Sequence, residues 1–140
     1  MEDRFNLERF VSAQVDVFPQ VLAELRAGQK RSHWIWFIFP QMKGLGRSPQ
    51  AEYYGIGSLE EAAAYLKHPI LGVRLEECTV LVNLVKGRTI NQILGFPDDL
   101  KFRSSITLFA RAAGESSVFE DALKKYFGGE LDPKTVTLLR

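Results

Sequence analysis

The stretch from Lys30 to Ser48, KRSHWIWFIFPQMKGLGRS, contains the residue types best suited to bind an anionic ligand that carries a ring. Cations precede and follow a run of aromatic and aliphatic residues. Aromatic side chains stack on flat rings, and lysine or arginine binds phosphate and carboxylate groups. We therefore predict a pocket for an anionic, ring-bearing ligand in this stretch. A solvated basic loop is the alternative.

The charge distribution favours a local anion site. The chain of 140 residues has a net charge of +1, yet five cations and no acidic residue lie between Leu25 and Ala51, and the remaining segments carry a net charge of −4. A general nucleic-acid binder carries an extended basic surface. We therefore expect a small anionic ligand as the partner and no general binding of nucleic acid.

His33 and Trp34 stand at the polar edge of the apolar run. We predict that Trp34 shows one ring face to the ligand, although aromatic residues clustered this densely are also typical of a core. His33 could bind an anion or shuttle a proton. A hydrogen-bonded structural role is its alternative.

The loop PQMKGLGRS follows the aromatic run. Gly44 and Gly46 would let the backbone approach a ligand closely and present its N–H groups. Ser48-Pro49 indicates the start of a short helix, so Arg47 and the helix N-terminus could together hold a phosphate or carboxylate. The loop matches neither a Walker loop nor a dinucleotide fingerprint, and a plain turn is the alternative.

Glu52 is the catalytic candidate, because a carboxylate placed against aromatic surface can have a raised pKa and act as an acid or base. The alternative is a first-turn Glu favoured by the helix dipole. Lys101 would contribute only if its helix face lined the same cleft as Trp34. The complete set of predicted ligand-binding residues is Lys30, Arg31, His33, Trp34, Gln41, Gly44, Gly46, Arg47, Ser48, Tyr54 and Lys101.

The elements that must position these residues are helical. Asp16 is a candidate N-cap, Ser58 and Glu61 form the pattern of a capping box, and Asp132-Pro133 indicates a final helix start. Leu71, Leu75, Cys78, Val82 and Val85 form an apolar stripe on a predicted central helix. The segment HWIWFIF is too short for periodicity to decide between a strand and a buried helix. We predict one all-α domain over residues 1–140, with six to eight helices and HWIWFIF buried.

Composition limits the other possibilities. With one Cys and two His, neither a disulfide framework nor a structural zinc site is expected, and no cofactor is predicted. Cys78 lies in the apolar stripe and is predicted to be inert core. The longest apolar run, Trp34–Phe39, is much shorter than the roughly 20 residues that cross a bilayer, and the N-terminus lacks a signal-peptide pattern. We expect a cytoplasmic protein without membrane attachment; the oligomeric state stays open.

Three segments carry a family resemblance: HWIWFIFPQMKGLGRS, EEAAAYLKHPILGVRL and KFRSSITLF. Together they resemble the bacterial domain of unknown function family numbered 1810, whose members are often mislabelled "calpastatin" in genomes. The resemblance covers nearly the whole chain. It implies a mainly α-helical single domain and no established activity.

The order of features is also similar, more faintly, to the YbiA-like superfamily, which handles NAD-derived and ADP-ribosyl compounds. The residues that could correspond are Trp34, Glu52, Tyr54, Gly72, Arg74, Lys101 and Phe102, although their spacing departs from that pattern. This resemblance implies N-glycosidic hydrolysis with Glu52 as acid or base. The functional hypotheses are therefore binding or hydrolysis of a phosphate-bearing, nucleotide-like ligand; noncatalytic docking of an acidic protein or peptide; or a purely structural motif.

Overall fold

Ten helices follow one another along residues 3–140, the part of the chain that the computed structural model describes. They are α1 (Glu8–Gln14), α2 (Phe18–Arg26), α3 (Ile35–Ile38), α4 (Pro49–Tyr53), α5 (Leu59–Lys67), α6 (Leu71–Leu84), α7 (Ile90–Leu94), α8 (Asp98–Ala113), α9 (Val118–Phe127) and α10 (Pro133–Leu138). The all-α prediction is confirmed. The predicted count of six to eight was too low, because several segments form helices of only four to six residues.

The segment HWIWFIF forms a short helix and contains no strand. Ile35 to Ile38 make the single turn of α3, and Phe39 follows as its C-cap residue. Ile35, Ile38 and Phe39 are each at most 2% exposed, and the Phe39 ring meets the Phe102 ring edge-on at 4.8 Å between centroids. The prediction that this segment is buried is therefore confirmed for its aliphatic residues and Phe39.

Helix α8 is the most enclosed element, whereas the apolar stripe in the sequence had indicated that α6 is the central helix. Every residue from Ser104 to Phe109 is buried, and α8 packs against α5, α7, α9 and α10. Helix α6 packs against α2, α5 and α9 and leaves one face outside. Its predicted apolar stripe is confirmed for Leu71, Leu75, Cys78 and Val82, which are at most 1% exposed.

The helix caps agree with the sequence in part. The Asp132 carboxylate accepts a hydrogen bond from the Thr135 N–H at 3.1 Å and caps α10 as predicted. Ser58 caps α5, but the Glu61 carboxylate turns to Gly57 and Arg9 instead of completing the capping box. Asp16 does not cap α2, whose N-cap residue is Val17 with no side-chain bond. None of the helices within residues 3–140 has both the length and the apolar character needed to span a bilayer.

Candidate functional site

Trp34 is sealed inside the protein, so the prediction that it shows a face to a ligand is wrong. Its side chain is 2% exposed, and its indole N–H donates to Glu24 Oε1 at 2.9 Å. The alternative, that the aromatic cluster is core, holds for this ring. Helix α2 places Glu24 on the same face as the buried Val21 and Leu25, which directs the carboxylate toward the indole.

Lys30 is also taken into the interior and is not free to bind a ligand. Its side chain is 6% exposed, and its Nζ lies 2.7 Å from Asp98 Oδ2 and 4.9 Å from the centroid of the Trp34 ring. The Lys30 N–H donates to the Ile93 carbonyl at 2.7 Å, which fixes the backbone that carries this cation. An ion pair already neutralises the charge, so Lys30 cannot supply it to a ligand.

Glu24 organises the basic segment around itself. Besides Trp34, the backbone N–H groups of Arg31 and Ser32, the Ser32 hydroxyl and the Gln20 amide all donate to its carboxylate, at 2.5–3.1 Å. Burial raises the pKa of this carboxyl, but the hydrogen bonds from Ser32, Arg31, Gln20 and Trp34 together outweigh burial and lower the pKa to about 2. The carboxylate is therefore ionised at neutral pH and serves as a structural anchor.

Three predicted site residues do come together in one cavity, which we call the α8–α10 groove. The groove has a volume of about 410 Å³. It lies between the loop after α3, the first turns of α8 and the start of α10. Its lining residues are Gln41, Leu45, Gly46, Pro97, Leu100, Lys101, Arg103, Ser104, Asp132, Pro133 and Lys134. Gln41 and Gly46, from one loop, thus meet Lys101, which is more than 50 residues away in the sequence.

Asp132 and Arg103 fasten α10 onto α8 and so build one wall of the groove. The Asp132 carboxylate accepts hydrogen bonds from the Ser104 hydroxyl at 3.0 Å and from the backbone N–H and the hydroxyl of Thr135. The Arg103 guanidinium donates to the Leu131 carbonyl at 2.9 Å. Asp132 is the one carboxylate among the lining residues, and it keeps its negative charge because these donors are neutral. The Arg103 guanidinium also lies 3.7 Å from the Glu130 carboxylate, whereas neither Lys101 nor Lys134 forms a salt bridge within residues 3–140.

The loop that forms the opposite wall is held by its backbone. The Lys43 N–H donates to the Ile56 carbonyl at 2.8 Å, and the Ile56 N–H donates to the Gln41 carbonyl at 2.9 Å. A Cβ on Gly46 would lie 2.5 Å from the Cβ of Ala51, so the glycine allows close packing on α4. The close approach that Gly46 permits is therefore to Ala51. Gly44 lines an adjoining cavity of about 340 Å³.

Trp36, unlike Trp34, lies near the groove and is half-buried. The Lys101 Nζ lies 5.1 Å from the centroid of its ring. Within the described residues, the Trp36 indole N–H and Gln41 Oε1 are buried without hydrogen-bond partners. Unpartnered buried polar atoms are uncommon in folded proteins. Of the two tryptophans, Trp36 and not Trp34 is therefore the one that lies near the groove.

Glu52 and Tyr54 belong to a different part of the surface. Exposed Glu52 lines a cavity of about 280 Å³ together with Lys43, Tyr53 and Arg9. Tyr54 packs between Phe10 and Phe37, at 5.7 and 5.5 Å between ring centroids, and burial raises its pKa. Neither side chain lines the α8–α10 groove.

The remaining predicted residues do not converge on the groove. Arg31 and His33 are exposed beside the Glu24 network, and the Arg31 guanidinium donates a long hydrogen bond to Gln29 at 3.4 Å. Arg47 is exposed and is not among the lining residues. Ser48 caps α4 by accepting a hydrogen bond from the Ala51 N–H at 3.1 Å. No three His, Cys, Asp or Glu side chains between residues 3 and 140 stand together in a way that could hold a metal ion.

The groove residues Arg103 and Lys134 were not predicted, since nothing in their local pattern indicates that α10 folds back onto α8. Sequence reasoning also missed the buried ion pair between Arg9 Nη2 and Glu61 Oε2, which lie 2.9 Å apart. Glu24 did leave a signal, because it has helical spacing to Val21 and Leu25, the two most buried residues of α2. A charged residue on an apolar helix face indicates a buried polar network.

Two of three comparisons with known proteins give a match. Residues 4–139 match the family described as "Protein of unknown function (DUF1810)". The fold is similar to the crystal structure of the conserved hypothetical protein Rv1873 from Mycobacterium tuberculosis, with a TM-score of 0.96, 60% sequence identity and 98% coverage of each chain. No curated protein matches the chain. The family match covers nearly the whole sequence, and the chain belongs to the DUF1810 family of proteins of unknown function.

Proposed function

We propose that this protein binds a small, phosphate-bearing, nucleotide-like ligand in the α8–α10 groove. The observation that carries the proposal is the charge of the lining. Lys101, Arg103 and Lys134 contribute three positive charges against the single negative charge of Asp132, and neither Lys101 nor Lys134 forms a salt bridge within residues 3–140. An excess of lysine and arginine over carboxylates around a cavity favours an anionic ligand.

The size and walls of the groove suit a ligand that is larger than a free phosphate. Sites for small molecules commonly have volumes of about 300–1,000 Å³ and mostly apolar walls, and the groove has about 410 Å³. Leu45, Pro97 and Leu100 provide apolar surface on which a sugar or base could rest. The phosphate would then lie toward Lys101 and Lys134.

The similarity to the YbiA-like superfamily makes ADP-ribose the first ligand to test. Among the residues of that comparison, Lys101 alone lines the groove. Trp34 is sealed, and the Arg74 guanidinium donates to Gln14 at 3.2 Å and lies 4.5 Å from the centroid of the Phe18 ring. Glu52 lines a different cavity, so the proposal is binding and does not include hydrolysis by Glu52.

The test is a titration of the full-length protein with ADP-ribose, NAD and ADP, followed by tryptophan fluorescence and by calorimetry. Trp36 lies beside Lys101 and reports on the groove, while the sealed Trp34 provides a nearly constant background. We expect saturable binding of at least one of these ligands and a lower affinity at higher ionic strength, because salt screens exposed charges. Absence of both heat and fluorescence change at millimolar concentrations of all three ligands would refute the proposal.

A second candidate function is the docking of an acidic peptide. The observation that favours it is the continuity of the groove with the adjoining cavity of about 340 Å³, since Leu45, Pro133 and Lys134 line both. Together the two cavities form an elongated surface with apolar residues, including Leu138, and with cations. An extended peptide of alternating Glu and Leu, titrated in the same way, distinguishes the candidates: binding of the peptide without binding of the nucleotides would replace the first by the second.

A further inference from the structure

Helix α6 carries an exposed apolar stripe on the side opposite the core. Ile70 precedes the helix and is 40% exposed; Val73, Val80 and Leu84 are 63%, 37% and 65% exposed. With Glu77, which is also exposed, these five residues form what we call the α6 seam. The seam is separate from the α8–α10 groove, and none of its residues lines that cavity.

The spacing of the seam is that of a helix-pairing surface. Residues 70, 73, 77, 80 and 84 follow one another at intervals of 3, 4, 3 and 4, which is the a and d pattern of a heptad repeat. The buried stripe of Leu71, Leu75, Cys78 and Val82 occupies the opposite face of the same helix. A helix that is apolar on both faces is normally covered on both, but in the described chain the seam residues of α6 stay exposed.

The charge on the seam is negative. Glu77 occupies its central position, and Glu76 lies beside it; both are exposed, and neither is paired with a cation within residues 3–140. The nearest cation on the helix, Arg74, is already engaged by Gln14 and the Phe18 ring. A covering element would therefore meet an apolar surface with an unneutralised carboxylate at its centre.

This charge argues against a second copy of the chain as the occupant. In a symmetric helix pair centred on the seam, parallel or antiparallel, Glu77 of one copy faces Glu77 of the other. Like charges at a pairing position are unfavourable. We propose that the α6 seam binds an amphipathic helix of another protein, with Leu-like residues at its a and d positions and a Lys or Arg opposite Glu77.

The test uses a synthetic helix of about three heptads with Leu at the a and d positions and Lys at the central a position. Lysines at its flanking e and g positions keep the peptide from pairing with itself, because like charges repel. A second peptide of identical composition and scrambled order has the same charge but no continuous apolar face. Titration into the full-length protein, followed by fluorescence anisotropy of a labelled peptide, should show saturable binding of the first peptide only.

Variants of the protein locate the binding surface. Glu77→Lys should weaken binding at least about tenfold, and the same change at exposed Glu115 on the α8–α9 connection should not, although it alters the net charge equally. Val73→Ser combined with Leu84→Ser should abolish binding, whereas Leu59→Ser, at another exposed leucine, should leave it unchanged. All five positions are exposed, so circular dichroism should show unchanged folding.

A peptide carrying Glu instead of Lys at the central position completes the charge exchange. It should bind the native protein weakly and the Glu77→Lys variant at least about tenfold more tightly. Equal binding of the ordered and scrambled peptides, or an equal effect of the Glu77 and Glu115 variants, would overturn the proposal. So would a concentration-dependent dimer of the native protein that Val73→Ser with Leu84→Ser abolishes, because it would identify a second copy as the occupant.

Discussion

The ammonium group of Lys101 lies 5.1 Å from the centroid of the Trp36 ring, at the edge of the α8–α10 groove. A cation over an indole is stabilised by roughly 0.5–2 kcal/mol, depending on how far it is desolvated. No carboxylate in the described chain forms a salt bridge with Lys101. The ring thus holds the cation in place without neutralising its charge, which stays available to an anionic ligand.

The first prediction concerns this lysine. Lys101→Met should weaken binding of ADP-ribose about 10- to 100-fold, because a hydrogen bond to a charged group contributes about 1.5–3 kcal/mol. Lys124→Met removes an equal charge from α9, where the lysine side chain is 70% exposed, and should leave the affinity unchanged. Calorimetry on both variants measures the difference. Equal losses would show that only the net charge of the protein matters.

The second prediction concerns acid stability and Glu24. Its pKa is lowered in the folded state from 4.5 to about 2, so the ionised carboxylate stabilises the fold above pH 4.5. This contribution, at most about 3 kcal/mol, is lost as the pH falls from about 4.5 to 2. Glu24→Gln should destabilise the protein at pH 7 and flatten the decline in stability over that interval.

Urea denaturation at a series of pH values between 2 and 7 measures this effect. The Glu24→Gln protein should approach the native protein in stability near pH 2, where Glu24 is already about half protonated in the folded state and neutral in the unfolded chain. A parallel decline of the two proteins over the whole interval would assign acid lability to other carboxylates.

The third prediction compares two adjacent glutamates. Glu61 pairs with Arg9 at 2.9 Å in a site where both side chains are at most 9% exposed, whereas Glu60 pairs with Arg4 at the surface, where the side chains are 66% and 70% exposed. Glu61→Gln leaves a buried guanidinium without its counter-charge and should lower the free energy of unfolding by about 3 kcal/mol. Glu60→Gln should change it by less than about 1 kcal/mol. Thermal and urea denaturation of both variants distinguish the buried pair from the exposed one.

The fourth prediction concerns Gly72 in the first turn of α6. A Cβ at this position would lie 2.0 Å from the Leu66 carbonyl oxygen at the end of α5. Because that atom belongs to the backbone, the Gly72→Ala substitution must shift α6 relative to α5. It should lower the free energy of unfolding by about 1–3 kcal/mol. Gly57→Ala, where the nearest neighbour of a Cβ would be the Glu61 carboxylate oxygen at 3.4 Å, is the matched control and should cost less. Equal stabilities in urea would show that the two helices separate without penalty.

Much of the secondary structure was predictable because its signals are local. Thr89 caps α7 and Asp132 caps α10 through bonds to backbone groups within three residues, and Gly95 and Gly114 follow α7 and α8 as their C-cap residues. The core face of α6 followed from the spacing of Leu71, Leu75 and Cys78 alone. Such features depend on helix periodicity and on neighbouring backbone groups, which the sequence displays directly.

The candidate site was predicted only in part, because it depends on which residues meet across the fold. Lys30 and Lys101 are the same residue type beside aromatic rings, yet Lys30 meets Asp98 in the interior and Lys101 faces the groove. Trp34 and Trp36 are two residues apart in the sequence. Trp34 is buried and bonded to Glu24, whereas Trp36 is half-buried beside Lys101.

By itself the sequence determined an all-helical chain, several of its caps and the basic, aromatic character of residues 30–48. The tertiary structure alone decided which of those charges is neutralised and which ring is enclosed. The physical reason is that burial and ion pairing are set by long-range contacts such as Lys30–Asp98, and these leave no periodic trace in the residues that make them.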